Sequence, residues 1–131
     1  MRKWTLPPET ALPKLVRGQI WKIDLTPQEY KEEPGKRERP ALVFQTDLLN
    51  AHGHNTTIII PGTTDTYQDK DGDGFPLRVP IGTITGKATD LLIDQLRAVS
   101  NQRFMGKAPL ATLERGHLKR VEDAVRIILK L

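Results

Sequence analysis

Residues 39–64 read RPALVFQTDLLNAHGHNTTIIIPGTT. Two apolar runs stand in this stretch, Ala41 to Gln45 and Thr56 to Pro61, each with polar groups at one end. Ala41-Leu42-Val43-Phe44 is apolar at every position, which marks a strand covered on both faces and central in its sheet. Pro40 stands at its first residue, where a strand tolerates a missing N–H donor. Ile58-Ile59-Ile60 has the same two-sided character, and Pro61-Gly62 is expected to break it and present Thr63 and Thr64. If both strands lie in one compact sheet, the Arg39 guanidinium and a threonine hydroxyl can meet at its rim, a plausible anion site. As turn residues the threonines would only satisfy local backbone groups. Between the runs, Asp47 is placed to cap a short helical turn through Asn50. His52-Gly53-His54-Asn55 reads as a surface turn. Two imidazoles do not by themselves make a metal site, although either can act as an acid or base.

Outward toward the N-terminus, Gln28 to Glu38 is charged, lacks apolar anchors and turns at Pro34-Gly35. It delivers the chain to Arg39 and reads as a lid over whatever binds there. Before it, Trp21, Ile23 and Leu25 alternate with Lys22 and Asp24, a half-buried strand over Gln19 to Leu25. Residues 1–16 carry Pro7, Pro8 and Pro13 and read as an extended or disordered arm; 17–131 form the folded domain.

Toward the C-terminus, the DKDGDG stretch at 69–74 resembles the start of a calcium loop through Asp69, Asp71 and Asp73. The twelfth position is Pro80, where a bidentate glutamate is needed, so the stretch reads as an acidic hairpin loop. Phe75 to Ile81 reads as a strand, and Gly82 and Gly86 as parts of a loop. Leu91 to Val99 reads as a last long strand with Gln95 and Arg97 on one face, since side chains alternate. Ser100 to Arg103 gives one helical turn and Phe104 to Leu110 a short strand. Thr112 is the expected N-cap of a final helix, with Glu114 in its first turn. Leu118, Val121, Val125, Ile128 and Leu129 supply that helix's apolar stripe.

At 131 residues the chain fits one domain. The absence of cysteine excludes disulfides and thiolate metal sites and suits a reducing cytoplasm. There is no apolar run of membrane-spanning length. Twenty Lys+Arg against sixteen Asp+Glu give a net charge of +4. Such an excess favours polyanion partners and serves ordinary solubility equally well.

RGQIWKIDLTP at 17–27, RERPALVFQTD at 37–47, IIIPGTT at 58–64 and LLIDQLRAVSNQRF at 91–104 follow one another in this order. The series resembles the MazF/PemK toxins of bacterial toxin–antitoxin pairs, from about Arg17 to the C-terminus. The resemblance implies a mainly β, α+β fold: a small, partly open antiparallel barrel with a C-terminal helix, shared with the gyrase-directed toxin CcdB. It also implies a cytoplasmic, homodimeric, sequence-specific endoribonuclease acting on single-stranded RNA. A cognate antitoxin would occupy the RNA groove, and neither metal nor cofactor is implied. The family's catalytic arginine and threonine match Arg39 and Thr63. Gln95 and Arg97 match positions near the RNA path, and Thr64, Arg37 and Glu33 complete the expected RNA contacts.

Cleavage by this route uses the ribose 2′-hydroxyl as nucleophile and leaves a 2′,3′-cyclic phosphate and a 5′-hydroxyl. Arg39 fits the holding of the phosphorane, because its fork matches two phosphate oxygens. The base is left open among Glu33, His52 and His54. The arm, the charged loop before Arg39 and the DKDGDG stretch depart from the family pattern. Two other readings are a CcdB-like gyrase poison and a non-catalytic RNA-binding barrel. The first lacks its C-terminal Trp-Gly-Ile here, since the chain ends Ile-Leu-Lys-Leu. The second is poorly served by an aromatic content of 5%.

Overall fold

The computed structural model describes residues 14–25, 38–66 and 74–131. The stretch expected to be a lid over 28–38, except Glu38, lies outside them, as do most of the DKDGDG stretch and the arm before residue 14. The elements run β1 (Gln19–Asp24), β2 (Glu38–Val43), α1 (Asp47–Ala51), β3 (Thr56–Thr63), β4 (Arg78–Ile84) and β5 (Lys87–Leu92). A 3-10 turn at Ile93–Gln95 leads to β6 (Arg97–Ser100), β7 (Phe104–Met105), β8 (Ala111–Thr112) and the helix α2 (Arg115–Leu129). All strand pairs are antiparallel, in the order β4-β5-β3-β2-β1-β7, with β6 also on β3 and β8 on β1.

The alternating pattern of β1 divides the interior in two. Ile20 faces a core with Leu42, Ile60, Leu91, Ile93 and Val79, closed by Val121, Ala124 and Val125 of α2. β1 and β4 stand near opposite ends of the sheet order, so Ile20 and Val79 share one core because the sheet curls into a partly open barrel. Trp21 and Ile23 point the other way, to a second core with Leu25, Ala41, Val43, Ile59, Val99 and Phe104. There Trp21 meets Phe104 edge to face at 6.2 Å. Leu15, assigned to the arm by the sequence, is buried in this second core. Arg17 ties the start of β1 to the helix: its guanidinium lies over the Phe44 ring at 4.3 Å and donates to Glu122 Oε2 at 2.7 Å.

Several expectations need correction. Pro61-Gly62 does not end β3. Its ladder with β2 stops at Ala41↔Pro61, and Gly62↔Leu91 and Thr63↔Asp90 carry the strand on beside β5. Pro61 is tolerated because, on the β5–β6 edge, no ladder pair falls between Ile59 and Gly62. β2 begins at Glu38, so Pro40 lies inside it, paired with Lys22 of β1. β4 starts at Arg78 because Gly74 to Leu77 form a turn, with Leu77 N–H donating to Gly74 O at 2.9 Å. It then runs through Gly82, with a bulge between Pro80 and Thr83, to a two-residue turn at Thr85-Gly86.

The long strand expected over Leu91 to Val99 is interrupted by the 3-10 turn. β5 and β6 both lie along β3, from Thr63↔Asp90 to Thr56↔Ser100, and the three residues of the turn take up the surplus on their side. The strand expected over Phe104 to Leu110 is reduced to the short β7, with β8 beyond it. The cap of α1 is Thr46, whose hydroxyl accepts from Leu48 N–H, and Asp47 is the first helical residue. Thr112 is a strand residue opposite Gln19, while Glu114 takes the N-cap position of α2 without a side-chain bond. Leu129 is exposed, and Ala124 fills the helix's buried stripe instead.

Candidate functional site

Strand register puts Arg39 and Thr63 at the same end of β2 and β3. The β2–β3 ladder ends at Ala41↔Pro61, Pro40 still packs against Gly62 one residue further on, and the same antiparallel run extended by one more residue points Arg39 and Thr63 toward each other. The approach at Pro40 is close: a Cβ on Gly62 would lie 3.3 Å from Pro40 Cγ and Pro40 O, and 3.1 Å from Thr89 Cγ2. Glycine is therefore what lets the two strands stay together next to Arg39. Ile23 stands opposite Arg39 on one side and Asp90 opposite Thr63 on the other. These two ladder pairs, Ile23↔Arg39 and Thr63↔Asp90, make a rung over four strands that is split where β3 leaves β2. Directly opposed residues point to the same face, with Cβ atoms about 5 Å apart.

The polar members of the rung are buried, with Arg39 6%, Thr63 5% and Asp90 3% exposed. Thr63 Oγ1 accepts from Asp65 N–H at 3.0 Å, which leaves its own proton to donate. Arg78 Nη1 donates to Asp65 O at 2.8 Å and lies 3.7 Å from Asp90 Oδ2. A guanidinium and a hydroxyl donor on adjacent strands make an arrangement able to hold a tetrahedral or pentacoordinate phosphate.

The other expected residues are dispersed. Thr64 is exposed at the end of β3. Arg97 is exposed opposite Ile59, on the face of Arg39 and Thr63 and about 13 Å along β3 from Thr63. Gln95 sits half-buried in the 3-10 turn, so it and Arg97 do not share a strand face as expected. His52 and His54 precede the far end of β3, a strand that spans about 23 Å to Thr63. Asn101 Nδ2 holds His54 O there at 2.7 Å. That geometry removes both histidines as bases for the Arg39–Thr63 pair of their own protomer. Glu33 and Arg37 lie outside the described residues.

The expected strand over Leu91 to Val99 leaves Asp90 outside it, and Arg78 stands within the expected Phe75–Ile81 strand with nothing in the sequence to mark Asp90 as its partner. The available signal was a carboxylate directly before an apolar run, which demands a cation or donors once buried. Asp47, at α1, has a displaced titration. Its pKa lies below the ordinary 3.8, first through the Arg17 N–H it accepts and then through the Asn50 side chain. Among the described residues no helix is long and apolar enough to cross a membrane. No group of three or more His, Cys, Asp or Glu side chains there is arranged to hold a metal ion.

A family model described as "PemK-like, MazF-like toxin of type II toxin-antitoxin system" matches residues 16–129. The chain is 26% identical over 122 residues to Endoribonuclease MazF9 of Mycobacterium tuberculosis, covering 88% of this chain and 96% of that protein. Among solved structures, MazF of Deinococcus radiodurans superposes with a TM-score of 0.69 at 23% identity, over 92% of this chain and 99% of that one. A mycobacterial endoribonuclease in complex with its cognate antitoxin superposes with a TM-score of 0.64 at 17% identity, over 90% of this chain and 95% of that one. These superpositions carry the partly open barrel with its C-terminal helix.

Proposed function

The chain belongs to the PemK-like, MazF-like toxins of type II toxin–antitoxin systems, and from that premise we propose that it is a metal-independent endoribonuclease cutting single-stranded RNA through Arg39 and Thr63. The observation that carries the reading is the burial of these two side chains at the same end of neighbouring strands, next to the close approach of Gly62 and Pro40. Their donors suit a phosphate whose charge grows as the 2′-hydroxyl attacks. Arg39 stabilises the phosphorane through two oxygens, and Thr63 donates its remaining proton to the same group. The products are a 2′,3′-cyclic phosphate and a 5′-hydroxyl.

Thr64, Gln95 and Arg97 line the path of the flanking nucleotides, with Glu33 and Arg37 contributing from the loop before Arg39. The catalytic unit is residues 17–131. The partners are a second copy of the chain and a cytoplasmic antitoxin that covers the RNA groove. The named relative is an endoribonuclease, and one structural neighbour was solved with its antitoxin. With the histidines at the far end of β3, the base falls to Glu33 or to the substrate's own solvent.

The test is incubation of the protein with a long single-stranded RNA in EDTA, followed by mapping of the product ends. Cuts at one short motif, with cyclic phosphate termini, are expected. Intact RNA in the presence of folded protein would overturn the reading, and a gyrase pull-down would then examine the CcdB-like alternative.

A further inference from the structure

A buried carboxylate that the proposed chemistry leaves unused stands beside the threonine. Asp90 is 3% exposed and is the ladder partner of Thr63. A carboxylate taken out of water needs a cation close by, and Arg78 Nη1 lies 3.7 Å from its Oδ2. The same Nη1 donates to Asp65 O at 2.8 Å. The N–H of that residue donates to Thr63 Oγ1 at 3.0 Å. Both main-chain groups of Asp65 are therefore engaged, one by the threonine and one by the arginine. The contacts close a ring: Asp90 to Arg78, Arg78 to Asp65, Asp65 to Thr63, and Thr63 back to Asp90 across the β3–β5 ladder.

We propose that the Asp90–Arg78 pair is a positioning device for the Thr63 hydroxyl. Resting on the ribonuclease reading above, it assigns these two residues a place in the reaction without contact to RNA. Thr63 is the last residue of β3, where a strand end is free to fray. Arg78 holds the corner that follows. By fixing Asp65, it keeps the N–H aimed at Oγ1. With one lone pair occupied in that direction, the hydroxyl proton is turned away from Asp65 and toward the rung it shares with Arg39. Asp90, buried within β5, holds Arg78 in turn. Loss of the pair leaves the threonine in place but misdirects its donor, so the rate falls more than the binding.

The experiment uses the full chain and a short single-stranded RNA containing one mapped cut. Single-turnover rate and KM are measured for the wild type, Arg78→Met, Asp90→Asn, Thr63→Val and the double variant Thr63→Val/Arg78→Met. A rate loss of about tenfold or more at nearly unchanged KM is expected for Arg78→Met. Little further loss is expected on adding it to Thr63→Val, because both act through one hydroxyl. Arg78→Lys should fall between Arg78→Met and wild type. An unchanged rate, or the same loss with and without the Thr63 hydroxyl, overturns the proposal. Asp90→Asn, similar in shape, carries the same cycle if Arg78→Met does not fold. If wild type does not cut RNA, the ribonuclease reading fails separately. Hydrogen exchange at the Asp65 amide then decides the clamp: it should quicken by about tenfold in Arg78→Met, and unchanged exchange would overturn it.

Discussion

A guanidinium at 6% exposure has already shed most of its water before any substrate arrives. Arg39 in that setting interacts with developing charge through a lower dielectric than a surface arginine would. Arg39→Ala is therefore expected to lower kcat about 10²–10³-fold, or about 2.7–4 kcal/mol, if its donors resemble one oxyanion-type contact. Single-turnover assays on folded protein check this, and wild-type cleavage by the variant would sink the role. Arg39 and Thr63 were legible in the sequence because each sits at the end of an apolar run. Asp90 was not, since its importance comes from β3 exchanging β2 for β5 at Pro61-Gly62, and no local signal announces a change of partner. The histidines misled for a related reason. They are near Thr63 in the sequence, but an extended strand carries them away from it.

At the scale of elements, the apolar patterning revealed the central strands and the final helix, but it could not reveal the interruption at Ile93–Gln95, where Ile93 continues the alternation begun at Leu91 and neither glycine nor proline marks a break. The turn between β4 and β5 is another local departure. Thr85 has φ 49° and Gly86 φ 83°, a pair of positive angles that favours Asn-Gly over a β-branched first residue. Thr85→Asn is expected to stabilise the fold by about 1 kcal/mol, seen as a rise of a few degrees in Tm. An unchanged or lower Tm would show that the Thr85 hydroxyl bond to Ile84 O, 2.7 Å long, outweighs the backbone strain. α1 offers a pH test. Asp47 accepts from Arg17 N–H at 2.7 Å and from Asn50 Nδ2 at 3.1 Å, which lowers its folded pKa below 3.8. Its contribution is thus complete above that value and lost as the pH falls through the folded pKa. Asp47→Asn should lower Tm slightly at neutral pH, and the difference from wild type should vanish in strong acid. A difference that persists there would assign the effect to shape instead of charge.

For the whole molecule, two cores on opposite faces of one curled sheet leave Arg39, Thr63 and Arg97 on the face of the Trp21–Phe104 core, away from α2. The helix can therefore close the barrel without occupying the path proposed for RNA. With a net charge of +4, affinity for RNA should fall as salt is raised. Arg97→Ala should weaken binding with kcat largely kept, and reduce the slope of log K against log salt by about 0.7 if one phosphate contact is lost. Titration of an uncleavable RNA at several salt concentrations checks this, and an unaltered slope would remove Arg97 from the phosphate path.

The 3-10 turn between β5 and β6 also acts as a parity spacer. Its three residues fix whether Arg97 and Val99, or Ala98 and Ser100, face the second core and the rung's side of the sheet. A single-residue deletion there would invert every side chain of β6, burying serine and expelling valine, whereas a two-residue deletion would preserve their facing. Tolerance of length changes at the turn should thus follow oddness and evenness, a grammar that a comparison of deletion variants by thermal denaturation would expose.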